Sequence, residues 1–365
     1  MRRYYYIDDE IDTIQSIADG INITKRVFVE VFPLKEYREF DKLTDKLKEE
    51  WDSIDGLILD LKLNGGGPNS TKYTATSLAQ WISSYIVTES RPAKPIVLLS
   101  NDLKCANYSA DVTSHDLFDI VKERNKNIQW DHFANLLAIC AEDYAKLNEN
   151  SKKDLFEILQ SAEIDISAGY LAPFTVPAKF NVSQFASFIL NDLFQHPGLL
   201  ISEELLAARL GVDIEKSGRN WYEFRDKYFG IAKYRGVFGG MEERYWSSKS
   251  IEIFIKMTEG KSPASMTTKQ RVDVLKSICT DASGLVAYEP VGLFTSPYCW
   301  AIDEVTRKPL DPTEGYMLFE ETGLKSWQEP RYLSFDTIES GNQGDYVLSP
   351  SEKERYDDDL EALEG

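Results

Sequence analysis

Residues 54–67 read Ile-Asp-Gly-Leu-Ile-Leu-Asp-Leu-Lys-Leu-Asn-Gly-Gly-Gly, and this stretch decides the fold of the first half of the chain. Its continuous apolar run at 57–59 predicts a central parallel strand that is covered on both faces. Asp60 closes that run, and three glycines at 65–67 open the loop that follows. Open α/β sheets place their chemistry at the carboxyl ends of such strands, so Asp60 is the first candidate functional residue.

The bulk composition limits the classes of function that are open to the chain. Its 365 residues suggest two domains of ordinary size. It carries 60 Asp and Glu residues against 41 Lys and Arg residues, for a formal net charge of -19. That charge opposes bulk attraction to nucleic acid and to anionic membranes, so DNA is a disfavoured partner.

The apolar residues and the cysteines indicate the compartment. No stretch approaches the ~20 apolar residues that a membrane-spanning helix needs, and the apolar run at the N-terminus is too short for a signal peptide. We therefore expect a cytoplasmic protein without a membrane partner. The four cysteines form no C-x-x-C pair, and three histidines leave little for a zinc site. Buried free thiols are expected at Cys105, Cys140, Cys279 and Cys299.

Strands alternate with helices along the first half, which is typical of a doubly wound parallel sheet. Five such strands commonly take the order 2-1-3-4-5, and the switch point then lies between strands one and three. The predicted strands cover residues 4–7, 26–32, 54–60, 95–99 and 117–121. The predicted helices cover residues 11–18, 36–51, 70–87 and 128–147. The expected fold class is therefore α/β, with a second, mainly helical α+β domain after the sheet.

This strand order gathers polar side chains at one edge of the predicted sheet. Asp8, Asp9 and Asp60 leave strands one and three, while strands four and five end at Ser100 and Lys122. Carboxylates that lie close together repel one another and need a cation, and hard oxygen ligands suit Mg²⁺. A metal-bound carboxylate can attack a phosphoryl group and form an acyl phosphate. Lys122 and the metal would offset the phosphoryl charge, and Ser100 could donate a hydrogen bond to a phosphoryl oxygen.

Four pieces of sequence resemble the receiver domain of bacterial response regulators. They are Ile-Asp-Asp-Glu at 7–10, Asp-Gly-Leu-Ile-Leu-Asp at 55–60, Pro-Ile-Val-Leu-Leu-Ser at 95–100, and the strand before Lys122. They occur in the order that the family shows and on the corresponding strand ends. The resemblance covers residues 1–127 and leaves the second half of the chain unassigned.

The resemblance implies a role for each residue at the edge of the sheet. Asp60 would be the phosphoacceptor, and Ser100 and Lys122 would take the switch roles. Asp9 would be the direct Mg²⁺ ligand. The full metal site implied by the family consists of Asp8, Asp9, Asp60 and the backbone carbonyl of Lys62.

Several positions depart from the family pattern. Glu123 follows the lysine where receivers usually have proline, and Asp119 stands where they often have an aromatic residue. Residues 102–116 lack a clear amphipathic helix in a region that normally contributes to the output face. Two interpretations therefore stay open. One is a phosphorylatable site with an unusual relay, and the other is a degenerate receiver that serves only as a docking module.

Changes in composition divide the chain. We predict a receiver-like domain at 1–127, its last helix and a linker at 128–150, an α+β output or interaction domain at 151–345, and an acidic polar tail at 346–365. The second half shows no nucleophile–histidine set, phosphate loop or metal cluster. Its family therefore stays unassigned.

Two stretches of the second half bear on the choice of partner. Residues 204–213 resemble the first helix and turn of a DNA-binding helix-turn-helix, but residues 214–220 contain Gly218 and lack a strong apolar stripe. Residues 221–246 are dense in aromatic residues with interleaved bases and acids, a pattern that favours core packing and a protein interface. We therefore favour a protein partner over DNA.

The sequence as a whole predicts a signalling protein of the response-regulator type. A histidine kinase or a kinase-like ATPase would phosphorylate Asp60 with Mg²⁺ and so switch a protein–protein interaction of the C-terminal domain. No enzyme activity is expected beyond phosphoacceptor and autodephosphorylation chemistry. The alternatives are a DNA-binding transcriptional regulator and a phosphorylation-independent adaptor in a multi-protein defence or stress complex. A homodimer is compatible with each of these interpretations.

Overall fold

Five short parallel strands form the sheet of the N-terminal half in the computed structural model, which describes residues 1–64, 70–101, 117–124, 128–149, 154–162, 165–175, 180–320 and 323–364. The strands are β1 (Arg2–Ile7), β2 (Val27–Val31), β3 (Gly56–Leu59), β4 (Ile96–Ser100) and β5 (Ile120–Glu123). They pair in the order β2-β1-β3-β4-β5, and all of these pairings are parallel. The predicted order and the α/β class are confirmed, and the N-terminal fold is receiver-like.

Helices pack around this sheet. In the described residues they are α1 (Ile11–Ile23), α2 (Phe40–Glu50), α3 (Ala75–Thr88) and α4 (Trp130–Glu149). Every residue of β3 is buried, as the continuous apolar run predicts for a strand covered on both faces. The predicted glycine loop at 65–67 and the segment 102–116 lie outside the described residues.

Several predicted elements differ from the structure in their limits. The helix α1 continues to Ile23 instead of ending at residue 18, and α3 begins at Ala75 instead of residue 70. The predicted helix at 36–51 is a 3₁₀ turn, Leu34–Glu36, followed by α2. The fifth strand lies further along the chain than 117–121, because its pairing with β4 continues until Glu123 lies opposite Ser100. The backbone N–H of Arg124 then donates to the Ser100 carbonyl at 2.9 Å. This extension places Arg124 directly after the strand, beside the carboxyl end of β4.

A close contact between Tyr4 and Gly56 holds β1 against β3. The two residues lie opposite each other in the parallel register. The Tyr4 ring covers the glycine so closely that a Cβ atom on Gly56 would lie 2.2 Å from a ring carbon. The Tyr4 hydroxyl donates to the carbonyl of Leu137 in α4 at 2.7 Å, so the fully buried ring is fixed at its far end as well. The register of β1 against β3 therefore depends on a residue without a side chain.

The chain forms two compact units that interleave in sequence. The first unit consists of Met1–Leu159, Ala168–Asp192 and Gly236–Glu242, and the second of Gln160–Ser167, Leu193–Arg235 and Glu243–Gly365. The predicted limits at residues 127, 150 and 345 stay predictions of domain organisation. The first unit contains the sheet and, after α4, three short α-helices: α5 (Leu155–Leu159), α6 (Ala168–Leu171) and α7 (Val182–Ser187). A 3₁₀ turn, Ala172–Phe174, follows α6, and a π-helix, Phe188–Leu193, follows α7.

The segment 236–242 belongs to the first unit because it packs on α4 and α5. The backbone N–H of Phe238 donates to a carboxylate oxygen of Asp143 in α4 at 2.6 Å. The Phe238 ring meets the ring of Tyr144 edge to face, with 5.9 Å between the centroids. The N–H of Val237 donates to the carbonyl of Ile158 at 3.3 Å. A stretch from the second half of the chain thus packs on the last helix of the receiver-like fold.

The second unit is mainly helical, as predicted. In the described residues its helices are α8 (Glu203–Leu210), α9 (Ile214–Ser217), α10 (Arg219–Phe229), α11 (Ser247–Met257), α12 (Thr268–Ile278), α13 (Phe335–Glu339) and α14 (Pro350–Glu364). Three antiparallel pairs of short strands accompany them: β6 (Leu200–Ile201) with β7 (Tyr245–Trp246), β8 (Ala301–Ile302) with β9 (Pro309–Leu310), and β10 (Tyr316–Met317) with β11 (Tyr332–Leu333). The three pairs are the only strands that the structure describes in this unit.

The partial helix-turn-helix has the first helix that its sequence predicts. Ser202 caps α8 through its side chain, and Gly211 ends the helix with a φ of 76°. The helix that follows the turn, α9, has four residues and ends at Gly218. Trp221 and Phe224 of the next helix, α10, are fully buried in the core of the unit. These helices therefore build a core, and DNA binding stays a prediction without a recognition helix of the usual length.

The acidic stretch predicted as a polar tail, 346–365, contains the helix α14. Tyr356 of this helix packs against the rings of Tyr316 and Phe335, with centroid distances of 5.4 Å and 5.2 Å. The Tyr316 hydroxyl donates to Asp359 at 2.7 Å. One aromatic residue therefore anchors a helix whose composition alone indicates a solvated end.

Two further expectations concern thiols and membrane helices. Cys140, Cys279 and Cys299 are buried free thiols, as predicted, and Cys105 lies outside the described residues. Across the ranges given above, no helix combines the length and the apolar character that crossing a membrane requires.

Replacing Gly56 by alanine should destabilise the first unit, because the new methyl group would meet a ring that is fixed at both ends. The expected loss in the free energy of unfolding is at the upper end of the about 1–3 kcal/mol that overpacking a core costs. Urea unfolding followed by circular dichroism measures it. Gly240→Ala is the matched control, because its Cβ would meet only the mobile end of Ile139 at 3.3 Å. Equal losses in the two variants would contradict the proposed contact.

Candidate functional site

Three carboxylates meet where β1 and β3 end. Ile7 and Leu59 lie opposite each other at the ends of these strands, so Asp8 and Asp60 leave the sheet side by side. One carboxylate oxygen from each of Asp8, Asp9 and Asp60 lies within 4.8 Å of the others. The sheet topology thus brings together three of the residues predicted for the metal site.

Backbone N–H groups orient the two buried carboxylates. The N–H of Glu10 donates to Oδ1 of Asp8 at 2.7 Å, and the N–H of Lys62 donates to Oδ2 of Asp60 at 2.8 Å. In both cases a carboxylate binds the N–H two residues further on, which is the arrangement of an Asx turn. The chain therefore turns tightly after each strand. The predicted ligand role of the Lys62 carbonyl stays a prediction.

Burial disfavours the ionised forms of the carboxylates in this cluster. Asp8 is 0% exposed and Asp60 is 4% exposed, while Asp9 is half-buried. Burial raises the pKa of Asp8 to about 7, and the charge of Asp60 adds to the rise, while the Glu10 N–H and the Arg124 guanidinium lower it. Adjacent buried carboxylates disfavour their own ionised forms unless a cation lies close by. The site is built to hold positive charge.

Arg124 is a cation that the structure places in this site, and it was not among the residues predicted from the sequence. Its Nη1 donates to Oδ2 of Asp8 at 2.7 Å, and its Nη2 donates to a carboxylate oxygen of Glu10 at 2.9 Å. The side chain is only 9% exposed. Although burial lowers the pKa of Arg124, the neighbouring Tyr6, Asp8 and Asp60 raise it above its ordinary value. Arg124 therefore carries a permanent charge.

Ser100 and Lys122, the two predicted switch residues, differ in their positions. Ser100 is fully buried at the carboxyl end of β4, next to the strand that carries Asp60. Lys122 lies on the edge strand β5 opposite Leu99, and its side chain is exposed. Within the described ranges Lys122 makes no hydrogen bond or ion pair. The predicted switch roles of both residues stay predictions, and among the described residues it is Arg124 that donates to the carboxylates of Asp8 and Glu10.

The position of Arg124 has a signal in the sequence. Side chains two residues apart on a strand point to the same face, so Lys122 and Arg124 are alternatives for one role. The choice between them depends on where β5 ends. The predicted strand ended at residue 121, which put Lys122 at the edge. The observed strand continues to Glu123 and puts Arg124 there.

Asp119 fills the position where the family often has an aromatic residue. Its Oδ2 accepts the backbone N–H of Ile96 at 2.8 Å, and its Oδ1 accepts the hydroxyl of Tyr144 in α4 at 2.5 Å. Burial raises the pKa of Asp119 to about 6, while the hydrogen bonds from Tyr144 and Ile96 lower it. This carboxyl group joins β4, β5 and α4 at the end of the sheet that faces away from the carboxylate cluster.

No family model and no curated protein matches the chain. One similar solved structure is a response regulator receiver domain protein from Clostridium thermocellum, with 16% identity, coverage of 41% of this chain and 98% of that chain, and a TM-score of 0.27. Another is a yeast trimeric coiled-coil segment fused to a second structure, with 16% identity, coverage of 47% and 96%, and a TM-score of 0.28. The receiver-like fold of the N-terminal half is defined here by its strand order.

The carboxyl group of Asp119 should make the protein less stable as the pH rises. Its pKa in the folded protein, about 6, lies above its ordinary value of 3.8. The stability that this proton contributes is fully present below pH 3.8 and is lost as the pH rises to about 6. Asp119→Asn keeps an acceptor oxygen and removes the titration. Relative to this variant, the wild type should lose on the order of 2–3 kcal/mol between pH 4 and pH 7.

Urea unfolding of the two proteins across this pH range measures the difference. Asp41→Asn, at an exposed position in the first turn of α2, is the control and should follow the wild-type profile. Parallel stability curves for the wild type and Asp119→Asn would show that the carboxyl group has an ordinary pKa.

Proposed function

We propose that this protein is a signalling protein of the response-regulator type that is phosphorylated on Asp60. The donor would be a partner histidine kinase or a kinase-like ATPase, and Mg²⁺ would be the cofactor. Phosphorylation would change how the C-terminal half binds a partner protein. The observation that carries this proposal is the group of three carboxylates at the carboxyl ends of the adjacent strands β1 and β3.

The donor set suits Mg²⁺. The carboxylates of Asp8, Asp9 and Asp60 supply hard oxygen atoms that lie within 4.8 Å of one another, and two of the three residues are buried. The carbonyl of Lys62 would add a further oxygen ligand. When bound, Mg²⁺ would offset the charge of these carboxylates and of an incoming phosphoryl group. No other residues of the described chain bring three such donors together.

The residues of the chain would position the acceptor. The Lys62 N–H holds one oxygen of Asp60 and so fixes the plane of the carboxylate. In the transfer, an Asp60 oxygen bonds to phosphorus while the P–N bond of a donor phosphohistidine breaks. The buried hydroxyl of Ser100, on the neighbouring strand, would donate to a phosphoryl oxygen. We propose no catalytic activity beyond this transfer and the hydrolysis of the acyl phosphate.

The segment 236–242 supports the C-terminal half as the output. This segment packs on α4 through Asp143 and Tyr144. Tyr144 also donates to Asp119, which binds the backbone of β4. A chain of hydrogen bonds and ring contacts therefore runs from β4 through α4 to Phe238. The residues on both sides of that segment belong to the second unit. A change in β4 would reach the second half of the chain by this route.

Treating the protein with acetyl phosphate and Mg²⁺ should yield a phosphoryl adduct on Asp60, because the acceptor is oriented and flanked by metal-binding carboxylates. Intact mass spectrometry detects the adduct, and borohydride reduction before peptide mapping locates it. Chelation of Mg²⁺ and the Asp60→Ala substitution should each abolish the adduct. Asp45→Ala, an exposed carboxylate on α2, should leave it unchanged. An Mg²⁺-independent adduct, or none, would overturn the proposal.

Asp143→Ala should loosen the segment 236–242. The substitution removes the acceptor of the buried Phe238 N–H, which costs about 1–3 kcal/mol when the N–H finds no other partner. Hydrogen exchange followed by mass spectrometry should show faster exchange in peptides that contain Phe238, with little change in those that contain β3. Asp143→Asn retains an acceptor oxygen and should exchange more slowly than Asp143→Ala. Unchanged exchange in Asp143→Ala would exclude this anchoring role.

A further inference from the structure

The loop after β1 is held by two ion pairs that share the guanidinium of Arg124. Arg124 directs Nη1 to Asp8 and Nη2 to Glu10, at 2.7 Å and 2.9 Å. A guanidinium can bridge two carboxylates in this way because its donors form a rigid fork, which an ammonium group lacks. The side chain of Asp8 is 0% exposed, so this pair lies largely out of water, where charges interact most strongly.

We propose that Arg124 is the resident cation of this site and that it opposes the binding of a divalent cation to the same carboxylates. The inference rests on the proposed function for the identity of that cation, Mg²⁺, and on the contacts of Arg124 for its own role. Asp8 takes part in both arrangements: it belongs to the cluster of three carboxylates, and it also forms the ion pair with Arg124. A metal ion bound there would repel the guanidinium and draw Asp8 away from it.

The charge balance sets the direction of the effect. In the described part of the chain, the site brings together four acidic side chains, Asp8, Asp9, Glu10 and Asp60, and the guanidinium of Arg124 pairs with two of them. Removing this positive charge leaves the carboxylates more negative and releases Asp8. The affinity for a divalent cation should therefore rise by about tenfold, which is the effect expected when one unit charge is removed from a partly screened site.

Lys122 offers a matched comparison. It lies two residues before Arg124 and carries the same charge, but it is exposed on the edge strand. Its charge is therefore screened by solvent. If Arg124 acts through its position in the site, replacement of Lys122 by the same neutral residue should change the affinity for the metal less than twofold or so.

Titration of the full-length protein with Mn²⁺, followed by electron paramagnetic resonance of the free ion, tests the proposal. Arg124→Gln should bind Mn²⁺ about tenfold more tightly than the wild type, and Lys122→Gln should bind like the wild type. Arg124→Lys keeps the charge but not the fork, so its affinity should lie between those of the wild type and Arg124→Gln. Unchanged or weaker binding by Arg124→Gln, or an equal effect of Lys122→Gln, would overturn the proposal.

A second measurement covers a variant that fails to fold. In the wild type, nuclear magnetic resonance of the Arg124 Nε–H should show a shift when Mg²⁺ saturates the protein, because the ion pair with Asp8 is perturbed. A signal that stays unchanged at saturation would also overturn the proposal.

The outcome separates this proposal from the proposed function. If the affinity for Mn²⁺ depends on Arg124 as expected but Asp60 accepts no phosphoryl group, the role of Arg124 stands and the proposed function fails. If neither the wild type nor folded Arg124→Gln binds Mn²⁺, the role of Arg124 is overturned together with the metal-dependent function.

Discussion

Two buried carboxylates at the ends of adjacent parallel strands are the constraint on which the N-terminal half depends. The register of β1 against β3 leaves Asp8 and Asp60 side by side in a place that water scarcely reaches. Like charges in such a place are costly unless a cation and backbone N–H groups compensate them. The fold supplies the N–H groups of Glu10 and Lys62, and it supplies Arg124. A structural role alone would be served better by apolar residues, so the presence of these carboxylates favours a function that uses their charge.

The sheet could be predicted from the sequence because its signals are local and repeated. Continuous apolar runs mark the two central strands β3 and β4, and an acid or a hydroxyl marks the end of each. The strand order then follows from the general rules for doubly wound sheets, and with it the meeting of Asp8, Asp9 and Asp60. Three members of the candidate site are thus readable from their places on the strands, without any contact being known.

Arg124 and the segment 236–242 could not be predicted in the same way, for different physical reasons. Arg124 competes with Lys122 for one position, and an edge strand such as β5 has no second neighbour to fix where it ends. The segment 236–242 lies about 90 residues beyond Asp143. Nothing in the sequence distinguishes its aromatic residue, Phe238, from an ordinary core phenylalanine. The contact of its backbone N–H with a buried carboxylate leaves no periodic trace in the sequence. For α14 the composition was misleading: the acidic residues around Tyr356 predict a solvated tail, but the ring of Tyr356 packs on Tyr316 and anchors the helix.

The position of Arg124 bears on the choice between a working receiver and a degenerate one. A site that has lost its reaction no longer needs a cluster of carboxylates, and neutral residues would remove the repulsion between them. In this chain three carboxylates lie together, and a guanidinium holds the most buried of them. Arg124 also lies between β5 and α4, the helix on which the segment 236–242 packs. Displacement of Arg124 by a second cation would therefore act at the point where the chain leaves the sheet before α4. On the proposed function, binding of a cation at the carboxylates would in this way be coupled to the helix on which the segment 236–242 packs.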